Sequence, residues 1–339
     1  MPGLLSRRAL LLGASNLVLS ATLPRAALAA EPPRRPIRIA NASGALNLTM
    51  AALMRQERFL EAFGLTPDII TVADGTRVLG AVVGGSVDAT MMSGFGQVFP
   101  AIEHGAAIKI LAGGALLPTL ALFSAKADVR TPRDLEGRTI GTGSIGALVY
   151  QLTVSLLRKY QVDTSKIRFV NIGSSADIFR AVSAGTVDAG AGEAALIGAA
   201  ANYHVHLIEH GNMSVELPEF TFQGAWASAD KIAAERAALV RTLAAYATLY
   251  RFVQMPQSRE AFFRARRSVF PNSPAIEHES LWTYIQTYKP FAVDLVLEPE
   301  RLRYMQAMNV GFGVQSRIMP FERVADMSLA AEARKLLAR

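Results

Sequence analysis

TIGTGSIGALVYQLTVSLLRKYQVDTSKIRFVNIGSSADIFRAVSAGTVDAGAGE, residues 139–193, reads as strand, glycine-rich turn, helix, strand, helix, strand. A short apolar run ends at Gly141, and Thr142-Gly143-Ser144-Ile145-Gly146 form a small polar turn. Residues 147–160 then place Leu148, Leu152, Leu156 and Leu157 on one face at helical spacing. Residues 167–171 make a second strand. Ser174 and Ser175 are placed to cap a helix over 176–184, Gly185 stops it, and a third strand opens at 187–190. This alternation predicts parallel strands joined by helical crossovers. The turn at 142–146 leaves backbone N–H groups free at a helix start, which suits an anion or a polar ligand group.

Gly141, Gly143 and Gly146 also match the spacing of a dinucleotide fingerprint. That reading needs an acidic residue at the end of the next strand to hold a ribose. Val170-Asn171 stands there instead, and Asp163 falls in the turn before the strand. A pocket for another small molecule and a purely structural tight turn are the alternatives.

A chain of 339 residues is long enough for two domains. With no cysteine it has neither disulfides, a thiol nucleophile nor a thiolate metal site. Its formal charge is +7, but Arg7, Arg8 and Arg25 belong to a basic and then apolar N-terminus whose Ala27-Leu28-Ala29 is a small-x-small cleavage site. Residues 1–29 therefore read as a twin-arginine-like export signal, and the mature chain, at +4, is expected free in the periplasm. Its remaining basic residues are scattered, which gives nucleic-acid binding no support.

From residue 37 the chain repeats the same alternation. Strands are expected at 37–40, 68–72, 87–91 and 108–111, with helices at 46–63, 77–83 and 95–104. Ser43, Thr76 and Ser93 sit in small-residue turns after three of these strands, where open parallel sheets bind ligands. Gly84-Gly85-Ser86-Val87-Asp88-Ala89 is echoed by Ala184-Gly185-Thr186-Val187-Asp188-Ala189, so two halves of similar architecture are expected. A composition change at Leu117-Pro118 marks a crossing, and residues 211–228 return the chain past Pro218 and Gly224. The boundaries are 30–117 for the first part of lobe 1, 118–221 for lobe 2, and 222–339 for the return to lobe 1 with C-terminal helices. Those helices are expected at 231–253, 259–268, 276–288, 299–308 and 329–337.

Phe222 and Trp226 either stack on a ligand or pack the junction between lobes. Asp74, Asp177 and Glu193 face the expected cleft from turn positions, where they would orient a ligand or cap a helix. His204, His206 and His210 invite a metal reading, but on a strand 206 and 210 lie roughly 13 Å apart, too far to share one ion. Ser144 lacks the spacing of a nucleophile elbow. No nucleophile–base pair stands out.

Several segments together resemble one family. They are the strand and loop Ile39-Ala40-Asn41-Ala42-Ser43-Gly44, the two Gly-x-Val-Asp-Ala segments, and Asp134-Leu135-Glu136-Gly137-Arg138-Thr139-Ile140-Gly141. With the export signal, they resemble the solute-binding proteins of ABC importers in the nitrate, sulfonate, taurine and thiamine-pyrimidine-precursor group. The resemblance covers about residues 37–320. It implies an α/β fold of two lobes (periplasmic-binding-protein type II), each a mostly parallel sheet flanked by helices, with a hinge between. It implies a monomer that uses no catalysis, cofactor or metal, closes on a small organic molecule, and delivers it to a membrane permease with its ATPase. A sensor that presents ligand to another membrane protein, or an enzyme of the same fold, are the alternatives. Carried over by position, the ligand contacts are Ser43, Gly44, Thr76, Ser93, Gly94, Thr142, Gly143, Ser144 and Ser174, with Glu193; Phe222 joins them as an aromatic contact. The group also holds pyrimidine synthases that depend on a cysteine-bearing motif, which a chain without cysteine lacks. Glu193 would repel an anion and the 142–146 turn would attract one, so an organic anion and a neutral heteroaromatic ligand both stay open.

Overall fold

The computed structural model describes residues 36–338. The export segment and its cleavage site lie outside these residues. In chain order the strands are β1 (Ile37–Ala42), β2 (Pro67–Val72), β3 (Thr90–Ser93), β4 (Ile108–Gly113), β5 (Leu120–Ser124), β6 (Thr139–Thr142), β7 (Arg168–Asn171), β8 (Ala189–Glu193), β9 (His206–Asn212) and β10 (Gly224–Ser228). β6 pairs in parallel with β7 and β8, and the sheet runs β7-β6-β8-β5-β9, with β5 antiparallel to its neighbours. The other half holds a parallel β1–β2 pair and a three-stranded β3-β10-β4 sheet, with β10 antiparallel. A parallel bridge between Ile39 and Ala89 and a bond from Ala40 N–H to the Ala89 carbonyl at 3.0 Å join these two pieces. The resulting order, β2-β1-β3-β10-β4, is that of the second sheet. In each, one strand arriving from elsewhere in the chain is inserted antiparallel at the fourth place. The chain passes between sheets at 114–119 and returns at 213–223.

The echoed hexapeptides explain part of this likeness. Asp88 accepts from the Arg38 backbone N–H at the start of β1, and Asp188 accepts from the Thr139 N–H at the start of β6, both at 2.8 Å. Each carboxylate thus ties the lead-in of the third strand to the start of the first. Asp88, which is almost fully buried, also pairs with Lys231 at 2.7 Å and Arg38 at 3.5 Å. A buried carboxylate persists only with such partners.

The larger helices are α1 (Ala45–Gln56), α2 (Gly75–Val83), α3 (Leu148–Lys159), α4 (Ser175–Ser183), α5 (Ala229–Val253), α6 (Arg259–Val269), α7 (Ala275–Tyr288), α8 (Pro299–Gly311) and α9 (Ser328–Leu337). The helix expected over 46–63 is two: α1 stops at Gln56, Arg58 takes a left-handed conformation (φ 55°), and a short turn Phe59–Ala62 follows. The strand expected at 87–91 begins later, at Thr90. Between 95 and 104 only Val98–Glu103 is helical. The glycines of β8 have a packing reason. A Cβ at Gly190 would lie 2.4 Å from Ile178 Cγ2, and one at Gly192 would lie 2.6 Å from Phe179 Cδ2. Their absence lets α4 press directly on the sheet.

Candidate functional site: a cleft between the two sheets

A cleft of about 490 Å³ lies beyond the carboxyl ends of the parallel strands, with walls from both sheets. Its lining includes the N-cap residues of four helices: Gly44 of α1, Asp74 of α2, Ala147 of α3 and Ser174 of α4. A helix start carries unpaired N–H groups and the positive end of the helix dipole. Local sequence sets these starts. Ser174 and Asp177 form a reciprocal capping box, with the Ser174 hydroxyl 2.6 Å from the Asp177 carboxylate. That hydroxyl, and then Arg180, hold the Asp177 carboxyl below the usual carboxylate range. The Asp74 carboxylate accepts from the Arg77 N–H at 2.9 Å. Both aspartates in the lining are therefore engaged in capping.

Of the residues expected at the site, Ser43, Gly44, Ser93, Gly94, Gly143, Ser144, Ser174, Glu193 and Phe222 line this cleft. Two do not. Thr76 is exposed on α2 and turned away, while its neighbours Gly75 and Arg77 line the wall. Thr142 is fully buried at the end of β6, with its hydroxyl 2.8 Å from the Gly143 carbonyl. Phe222 is almost fully buried and borders the cleft, whereas Trp226 lies inside β10 and takes no part. The histidines are spread over other roles. His204 turns the chain at φ 57°, His206 Nε2 meets the Val129 carbonyl at 2.8 Å, and His210 stacks on Tyr160 beside Glu216. Among the described residues no group of three or more histidine, aspartate or glutamate side chains could hold a metal ion.

The lining also contains Asn47, Gln97, Thr119, Gln223 and Arg77, which the reading of strand ends passed over. Asn47 and Arg77 lie three residues after the N-caps Gly44 and Asp74, so helical spacing past a ligand-facing cap was the missed signal. Five polar side-chain atoms in this lining are buried without a hydrogen-bond partner: Asn47 Oδ1, Ser93 Oγ, Gln97 Oε1, Thr119 Oγ1 and Gln223 Oε1. Such groups cost free energy unless something bonds them. Asn47 is oriented by its amide, which donates to the Ala42 carbonyl at 2.9 Å and the Met92 carbonyl at 3.2 Å. Its Oδ1 is therefore presented as an acceptor. Ser43, Ser144 and Ser174 differ, since each hydroxyl already has a partner in the protein.

Glu193 bridges the halves. Its carboxyl accepts from Ser175 Oγ at 3.0 Å and from the Ala45 backbone at the start of α1. Burial pushes its pKa up, against the opposing pull of Ser175 and of the Arg266 charge. A carboxyl held toward its neutral form repels an anion less than its sequence suggests. The first turn of α3 also reaches across: Leu148 lies against Gly94 and Gln151 against Gly96. Gln151 Nε2 donates to Asn309 Oδ1 on α8 at 2.6 Å, and Asn309 Nδ2 donates to the Gly96 carbonyl at 2.8 Å.

Comparison with known proteins matches this arrangement. No curated protein sequence matches the chain. Among solved structures, the alkanesulfonate-binding protein SsuA of Xanthomonas axonopodis pv. citri, bound to MOPS, is 19% identical over 88% of this chain and 98% of its own, with a TM-score of 0.69. The periplasmic nitrate-binding protein NrtA of Synechocystis PCC 6803 is 10% identical over 89% of each chain, with a TM-score of 0.72. The desulfurization enzyme DSZB is 13% identical over 90% of this chain and 100% of its own, with a TM-score of 0.61. At these identities the likeness is one of fold, the periplasmic-binding-protein fold anticipated from the segment order. A sequence profile of the NMT1/THI5-like family matches residues 50–245, a span that runs from α1 through the whole second sheet into α5. Sharing that profile over more than half its length, the chain belongs to the NMT1/THI5-like family.

Proposed function

We propose that the mature chain is a periplasmic receptor that closes two lobes around a small anion, of the sulfonate or nitrate kind, and delivers it to an ABC import permease with its ATPase. The lobes are residues 30–117 with 222–339, and residues 118–221. The observation that carries this reading is a cleft ringed by four helix starts, with the unpartnered buried hydroxyls of Ser93 and Thr119 able to donate into it. Helix starts stabilise negative charge through N–H groups already in place. Arg77 adds a cation at the rim, and Glu193 opposes an anion weakly because burial disfavours its charged form. The names of SsuA and NrtA fit this ligand class, and the export segment fits the compartment.

The test is thermal unfolding of residues 30–339 against sulfonates, nitrate, aromatic carboxylates, pyrimidine precursors and amines, followed by solution scattering with whichever binds. A ligand at 100 times its dissociation constant adds about 2.7 kcal/mol. Selective stabilisation by anions with a reduced radius of gyration is the expected result. Stabilisation by amines alone, or no change in size with a tight ligand, would sink it. The likeness to DSZB raises an enzyme of the same fold as a second reading. The cleft lining holds no histidine or lysine, and the carboxylates beside its serines, Glu193 at Ser175 and Asp177 at Ser174, sit at helix starts. Recovery of every tight ligand unchanged after long incubation is the expected result, and turnover would favour the enzyme.

A further inference from the structure

The cleft does not end at Glu193. Behind that side chain lies a second cavity of about 240 Å³, walled mainly by Phe179, Leu196, Tyr203, Phe270 and Leu281. Glu193 belongs to both walls, and the side-cavity residues Ala45 and Ala176 directly follow the cleft residues Gly44 and Ser175. The two spaces thus adjoin at Glu193. Two of the charged groups on this wall are engaged by neighbours: Glu277 accepts from the Tyr203 hydroxyl, and Arg180 is bonded to Asp177. Arg266 differs. It is 3% exposed, its Nη1 lies 3.3 Å from both the Ala45 carbonyl and Thr49 Oγ1, and its Nε has no partner.

We infer that the ligand carries an apolar arm, alkyl or aryl, that passes Glu193 into this side cavity. Mainly aromatic and aliphatic walls favour such an arm. The volume equals roughly eight waters at about 30 Å³ each, room for a ring or a chain of about six carbons. The inference rests on the reading of the main cleft as the ligand site.

The experiment titrates residues 30–339 by calorimetry with straight-chain sulfonates of one to eight carbons, and with matched carboxylates and primary amides. Affinity should rise about fourfold per methylene until the cavity is full, then level off. Ala176→Phe fills the cavity from an exposed helical position, where a larger side chain is tolerated. It should leave the one-carbon ligand unchanged and cost at least tenfold at six carbons. Ala176→Leu should show the same pattern more weakly, and serves if the phenylalanine variant unfolds. Affinity flat in chain length for all three headgroups would overturn the inference, as would an equal rise in the filled variants. A chain-length rise confined to amides, and lost in Ala176→Phe, would support the side cavity while overturning the anion reading. Binding by no member would overturn both.

Discussion

Replacing Ser93 by alanine should move the empty protein and the ligand complex in opposite directions. The Ser93 hydroxyl is fully buried at the end of β3, lines the cleft and has no partner within the protein. An unmade hydrogen bond of this kind costs about 1–3 kcal/mol, so Ser93→Ala relieves the empty protein of some of it. A relief of about 1 kcal/mol, spread over an unfolding entropy of roughly 0.6 kcal/mol per degree for about 300 residues, raises Tm by about 1.5 °C. In the complex the variant loses one hydrogen bond, about 0.5–1.5 kcal/mol, or roughly two- to tenfold in affinity. At a ligand concentration 100 times the wild-type dissociation constant, a tenfold loss cuts the added stability from about 2.7 to about 1.4 kcal/mol. The ligand-induced Tm shift would then fall from about 4.5 °C to about 2.3 °C. Scanning calorimetry of both proteins, empty and with the ligand found in the thermal screen, reads all four values. A variant that is less stable when empty yet keeps the full ligand shift would refute the reasoning, because the hydroxyl would then serve the fold and not the ligand. Thr119→Ala, at an equally buried and unpartnered hydroxyl, should behave alike.

Other residues give independent checks. Burial raises the Glu193 pKa above its unfolded value, so the stability linked to its protonated form is full below about pH 4.3 and is lost as pH rises through the raised native value. Glu193→Gln, which mimics the protonated acid, should therefore be more stable than wild type at pH 8 and converge with it toward pH 4; urea midpoints showing the reverse order at pH 8 would contradict this. Gly190→Ala places a methyl 2.4 Å from Ile178 Cγ2 and 3.0 Å from Val182 Cγ2, so overpacking should cost about 1–3 kcal/mol, and an unchanged denaturation midpoint would show that α4 moves away freely. Ser174→Ala should cost about 1 kcal/mol of stability through the lost cap, and Ser174→Asp, which keeps a cap oxygen but sets a second carboxylate against Asp177, should also be destabilised. If the ligand is an anion, the aspartate variant should bind at least tenfold more weakly than the alanine variant; equal binding by the two would move the anion away from α4.

Much of the architecture was legible from residue order. Strand–helix alternation, the two echoed hexapeptides and the small-residue turns after strands are local patterns, and local backbone preferences write them directly into sequence. They anticipated the two similar sheets flanked by helices. Nine of the eleven site residues named from sequence line the cleft, most of them because a strand end or helix start is a local property. Thr76 and Thr142 show where that stops. Which way a side chain turns from a strand end depends on helix phase and on neighbours distant in the chain. The break of the first helix at Arg58 was equally hidden, because no glycine or proline marks it.

What tertiary structure alone decided is the chemistry at the meeting of the halves. Glu193 read as a charge that would repel an anion; packed against Ser175, the start of α1 and the field of Arg266, it is a carboxyl pushed toward its neutral form. Arg266 is 73 positions away in sequence, and Asn309 reaches Gln151 across 158. Sequence determines the elements and the turns that end them, because those depend on neighbours along the chain. Burial, desolvation and the pairing of distant polar groups depend on neighbours in space, and only the folded chain supplies them.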